Sequence, residues 1–68
     1  MRDFNRIARI MPLVEEAWSL VPDWRLGQLI ENFKRATGKA DLFYVEDDWM
    51  EEAWKAYINY LKESVYAN

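Results

Sequence analysis

The sequence predicts an all-α protein, a compact bundle of three helices, and three observations carry that expectation. Apolar residues recur at three- and four-residue steps over three separate stretches. Stop-and-start signals, Pro22-Asp23 and Thr37-Gly38, stand between them. The one run with strand character, Leu42-Phe43-Tyr44-Val45, finds no convincing partner elsewhere in the chain, and an isolated edge strand is unfavourable.

The first stretch runs from about Asp3 to Leu20. Asp3 suits the N-cap, and Phe4, Ile7, Ile10, Met11, Val14, Trp18 and Val21 supply the periodic apolar residues. Pro12 removes one helical hydrogen bond and crowds the preceding turn, which predicts a kink or two abutting short helices. Asp23 is placed to cap a second helix with Leu26, Leu29, Ile30 and Phe33 on one side. Gly27 inside that helix is unfavourable by about 1 kcal/mol relative to alanine, so close approach of another helix is expected there. Gly38 ends the helix in the left-handed conformation. Residues 42–46 then form a short extended connector whose Phe43 and Val45 fill the core. Asp48 and Glu51 form a capping pair for a last helix carrying Met50, Ala53, Trp54, Tyr57, Ile58, Leu61 and Val65 to about Tyr66.

Sixty-eight residues make a single domain, 1–68. A folded monomer of 8.2 kDa exposes roughly 4,500 Å² against about 12,000 Å² extended, a marginal burial for a lone domain. No cysteine is present to add a disulfide, which suits a reducing compartment. Aromatic residues make up 16% of the chain, enough that some rings are expected on an interface with a partner or a second copy. No stretch is apolar over the roughly 18 residues of a membrane span, and the start lacks a signal-peptide core. A cytoplasmic protein without a membrane-bound state is expected.

Catalysis is poorly supplied. There is no histidine and no cysteine, and Ser19, Thr37 and Ser64 have no activating base nearby in sequence. Gly27 and Gly38 are the only glycines, so no phosphate-binding loop exists. The reading is a non-enzymatic chain with no catalytic residues, no cofactor and no small-molecule substrate. The oxygen-rich segment 41–52 lacks the spacing and central glycine of a calcium loop, so no metal site is assigned.

Charge is segregated. Residues 1–39 hold seven basic and five acidic residues, and residues 40–68 hold two lysines and seven acids, which gives the net charge of −3. Arg2, Arg6 and Arg9 share one helical stripe. With a pI near 4.8, long-range attraction to nucleic acid is absent, so these arginines are expected to neutralise the acidic segment, within the fold or in a dimer.

Two strings, Pro22-Asp23-Trp24-Arg25-Leu26-Gly27-Gln28-Leu29 and Leu42-Phe43-Tyr44-Val45-Glu46-Asp47-Asp48, accompany Arg6-Ile7-Ala8-Arg9-Ile10. Together they resemble a family of very short proteins from phages, prophages and Gram-positive bacteria, over about residues 1–52. The first string is also weakly similar to YihD-like helical proteins. The resemblance implies a small helical domain and a phage-type accessory role, and brings no catalytic residues. Trp24, where an aliphatic residue is expected, and the Trp-rich tail after Asp48 depart from the family pattern.

Those readings converge on a protein–protein interaction module that binds a host or defence component or self-associates as a homodimer. The partner-binding residues expected from sequence are Trp49, Trp54, Glu46, Asp47 and Glu52, with Trp24 second. Arg25, Asp48 and Glu51 are expected to serve structural pairing, with Arg25 bound to the acidic segment. The alternatives are an anti-CRISPR-like inhibitor whose acidic face mimics nucleic acid and, third, a nucleic-acid-binding regulator using the arginine stripe.

Overall fold

The computed structural model describes the backbone of residues 3–66 and the side chains of residues 3–64. Three helices follow in order: α1 (Asn5–Leu20), α2 (Leu26–Thr37) and α3 (Asp47–Tyr66). No strand occurs among the described residues, so the three-helix expectation stands. α3 is the central element and packs against both others. Ion pairs Arg6–Asp47, Arg9–Glu51 and Glu16–Lys62 join α1 to α3 in ascending order along both, so these two helices run in the same direction. α2 connects them and packs on α3.

The N-cap of α1 is Phe4, one residue after the expected Asp3, whose carboxylate accepts the Asn5 N–H at 2.9 Å from just outside the helix. Pro12 lies within α1, which continues unbroken to Leu20 rather than splitting into two short helices. Pro12 and Ala8 are both exposed. The Ala8 carbonyl, which loses its helical donor to Pro12, is therefore on the side where water supplies one.

The turn between α1 and α2 is pinned by the Trp18 indole N–H, which donates to the Trp24 carbonyl at 2.8 Å. Asp23 falls inside this turn, and Arg25 occupies the cap position with extended backbone, φ −75° and ψ 156°. The expected Asp23 cap is thus displaced by two residues. The Gln28 side chain takes over part of its work by accepting the Arg25 N–H at 2.7 Å.

Gly38 closes α2 with φ +76°, as expected, and its N–H donates to the Arg35 carbonyl. Lys34 and Arg35 favour this end electrostatically. Gly27 is different. A Cβ built on it meets nothing within 4 Å, so no helix approaches there. Gly38→Ala is expected to destabilise the fold by about 1–2 kcal/mol. Gly27→Ala is expected to stabilise it by up to about 1 kcal/mol. Urea titrations of both variants test this contrast, which fails if the two shifts share a sign.

Ala17, Leu29, Phe33, Trp54, Tyr57, Ile58 and Leu61 form the buried core. Phe33 lies face to face on Trp54, with centroids 3.8 Å apart and planes 1° from parallel. Tyr57 meets both rings edge-on at 5.6 and 6.0 Å, a favoured aromatic geometry. Burial, with a smaller contribution from Tyr60, raises the Tyr57 phenol above its ordinary pKa.

Candidate functional site

The acidic-aromatic segment dissolves into structural roles when followed residue by residue. The Asp41 carboxylate accepts the Phe43 N–H at 2.9 Å, and the Leu42 carbonyl accepts the Val45 N–H at 3.2 Å. The connector is therefore a tight turn rather than an extended strand-like link. Leu42 is the side chain it sends against the core. Phe43 and Tyr44 are 81% and 83% exposed and stack edge-to-face on each other, while Val45 is half-buried. The expectation that Phe43 fills the core is corrected: closing the turn leaves it at the outer corner.

α3 begins two residues earlier than expected, with the Glu46 carbonyl accepting the Met50 N–H. Asp48 thus sits inside the first turn, where its charge complements the macrodipole. The Asp48 side chain makes no hydrogen bond or ion pair among the described residues, and the expected Asp48–Glu51 capping pair does not form. Glu51 instead bonds Arg9 at 3.2 Å and Lys55 at 3.5 Å. Asp47 bonds Arg6, and Glu52 bonds Lys55 at 3.5 Å.

Arg6 and Arg9 therefore do what the charge pattern predicted, neutralising the acidic segment within the fold; Arg2 lies outside the described residues. Arg9 also reaches Asp3 at 3.4 Å. The Asn5 N–H, with Arg9 beside it, holds the Asp3 carboxyl below its usual pKa. Bonding to Glu51, then to Asp3, holds the Arg9 guanidinium above its own.

The expected pairing of Arg25 with Glu46, Asp47 or Asp48 is corrected. Arg25 makes no ion pair among the described residues, and distance explains it. The acids sit beside the start of α1, and Arg25 lies beyond its end. Sixteen helical residues separate the two places by about 24 Å.

Among the aromatic residues expected at a partner surface, Trp54 is corrected outright. It is 3% exposed and forms half of the central ring stack. Trp49 remains partly exposed, with the Lys39 ammonium 5.4 Å from its ring. Trp24 is half-buried and borders a polar groove with Arg25, Gln28, Glu31, Asn32 and Arg35. Among the described residues, no group of three or more acidic side chains is arranged to hold a metal ion, and no helix is long and apolar enough to cross a membrane.

The most apolar surface lies elsewhere, on residues the sequence pattern had assigned to the core. Ile7, Met11, Val14 and Trp18 of α1 join Leu26 of α2 in a shallow groove, with Ala8, Pro12 and Glu15 at its edge. Met11 is 55% exposed and Leu26 47% exposed. Phe4 and Ile30, outside the groove, are exposed apolar residues as well. The signal that could have revealed it was present in the periodicity. Ile10, Leu13, Ala17 and Leu20 pack into the core, and the Ile7-Met11-Val14-Trp18 set is a second stripe displaced by one position, of which Val14 also touches the core while Ile7, Met11 and Trp18 stay exposed. Reading both as one broad face hid the second. Comparison with known proteins finds no matching family model, no matching curated protein and no matching solved structure.

Proposed function

We propose that this chain is a protein-interaction module whose docking surface is the apolar face of Ile7, Met11, Trp18 and Leu26. The observation that carries this reading is the exposure of a second, regularly spaced apolar stripe on a helix already packed through its first. A surface helix needs one apolar stripe to join a core, and large contiguous apolar patches mark interaction sites. The acidic segment supports the reading by default, because its Asp47, Glu51 and Glu52 carboxylates are engaged by arginine and lysine side chains. A nucleic-acid mimic requires those charges free for a basic groove. The resemblance to short phage and Gram-positive proteins fits a small accessory protein of this kind.

A photo-reactive amino acid in place of Met11, and separately in place of Lys55 on α3, tests the proposal in living cells. Adducts are expected from position 11 and not from position 55. Equal adducts from both positions, or none from position 11, would overturn it.

A further inference from the structure

We infer that the occupant of this face is a second copy of the same chain, with the two α1 helices packed antiparallel about a two-fold axis near Met11. The inference rests on the docking reading above and adds the partner. α1 carries Ile10, Leu13, Ala17 and Leu20 toward the core; one position on, Ile7, Met11 and Trp18, with Phe4 just before the helix, stay exposed, while Val14 in the same register is half-buried against the core. The second set steps by three, four, three and four residues, the spacing of a helix-pairing seam. One position is about 100° of helix rotation, so α1 is built to be gripped from two sides.

Area argues for a copy-sized occupant. The chain exposes 5249 Å², against roughly 4,500 Å² for a folded monomer of this mass. The excess, roughly 700 Å², is spread over an elongated molecule of 44 × 25 × 19 Å, and a standard interface takes ~800 Å² from each partner. Burial of Phe4 (80% exposed), Met11 and Trp18, with Ile7 and Leu26, supplies the apolar centre that such an interface needs.

The stripe is also self-complementary. Phe4 and Trp18 lie seven residues either side of Met11, so an antiparallel pair sets each ring against the other copy's opposite end. Opposed macrodipoles favour this direction over a parallel one. Charge does not obstruct it. Glu15 is the charged residue at the groove's edge, and two copies of Glu15 would stand about 12 Å apart along the axis, beyond the ~10 Å Debye length of 0.1 M salt. Ala8 and Pro12 are small enough to permit an interaxial distance of about 8–10 Å.

Sedimentation equilibrium of the full chain from about 5 to about 500 µM tests the assembly. The expected mass rises toward twice 8.2 kDa. Met11→Asp is expected to weaken association at least about 30-fold while retaining the helical circular dichroism of the native chain. Trp49→Asp, on a different face, is expected to leave association unchanged. A monomer at every concentration, or a dimer indifferent to Met11→Asp, overturns the inference. If the native chain is monomeric but position 11 still forms adducts in cells, the docking reading survives and the second copy does not.

Orientation has its own test, made clean by the absence of native cysteine. Met11→Cys is expected to form a disulfide with its mate under mild oxidation. Phe4→Cys is expected to pair with Trp18→Cys in a mixed sample and not with itself. Self-pairing at position 4 would overturn the antiparallel arrangement.

Discussion

Phe33→Ala is expected to cost about 3–5 kcal/mol of folding stability, enough to leave the chain largely unfolded at room temperature. A domain of 68 residues has on the order of 3–10 kcal/mol in total, so one buried ring is a large share. Phe33 is 1% exposed, lies flat against Trp54 and receives the edge of Tyr57. Truncation removes its own transfer free energy and opens a void between α2 and α3 that the two large, rigid rings of Trp54 and Tyr57 cannot collapse to fill. Phe33→Leu keeps most of the volume and is expected to lose less. Trp54→Ala should match Phe33→Ala, while the double variant should lose less than the two losses combined, because the ring contact can be removed only once. Guanidinium titrations followed by circular dichroism measure all four. A loss below about 1 kcal/mol for Phe33→Ala would mean that this stack is not the centre of the core.

Ala17→Leu is the second large effect, a destabilisation of about 1–3 kcal/mol. Ala17 is fully buried among Trp54, Tyr57, Ile58 and Leu61, and its small side chain sets how closely α1 approaches α3. Three added carbon atoms must either displace α1 or force neighbouring side chains from their rotamers. At the middle of that range, the thermal midpoint should fall by on the order of 10 °C. Ser19→Leu is the control: exposed and two positions along the same helix, it should change stability by no more than about 0.5 kcal/mol. Equal shifts for the two variants would contradict tight packing at Ala17. The ion pairs between the same helices are a smaller matter. Arg6–Asp47 and Arg9–Glu51 are part-exposed, where such pairs contribute about 0.2–1 kcal/mol each, so they orient α3 more than they hold it.

The readings that survived and those that failed divide along a physical line. The three helices, their approximate ends and the Gly38 stop were legible because each depends on residues near one another in sequence. The neutralisation of acidic segment by Arg6 and Arg9 was legible because opposite charges were segregated strongly enough to need one another. The roles of Trp54, Phe43, Arg25 and Gly27 were not. Each turned on which side of a helix or turn faced a neighbour, and a rotation of 100° exchanges core for surface.

Local chemistry by itself therefore determined that this chain folds as three helices, where proline and glycine interrupt it, and that neither histidine nor cysteine takes part in its chemistry. Only the tertiary structure decided that Trp54 belongs to the core and that Met11 belongs to the surface. Both lie on apolar stripes of similar spacing, and spacing is a property of one helix. Burial is a property of two: α3 turns Trp54 onto Phe33, while α1 commits Ala17 to α3 and leaves Met11 facing outward.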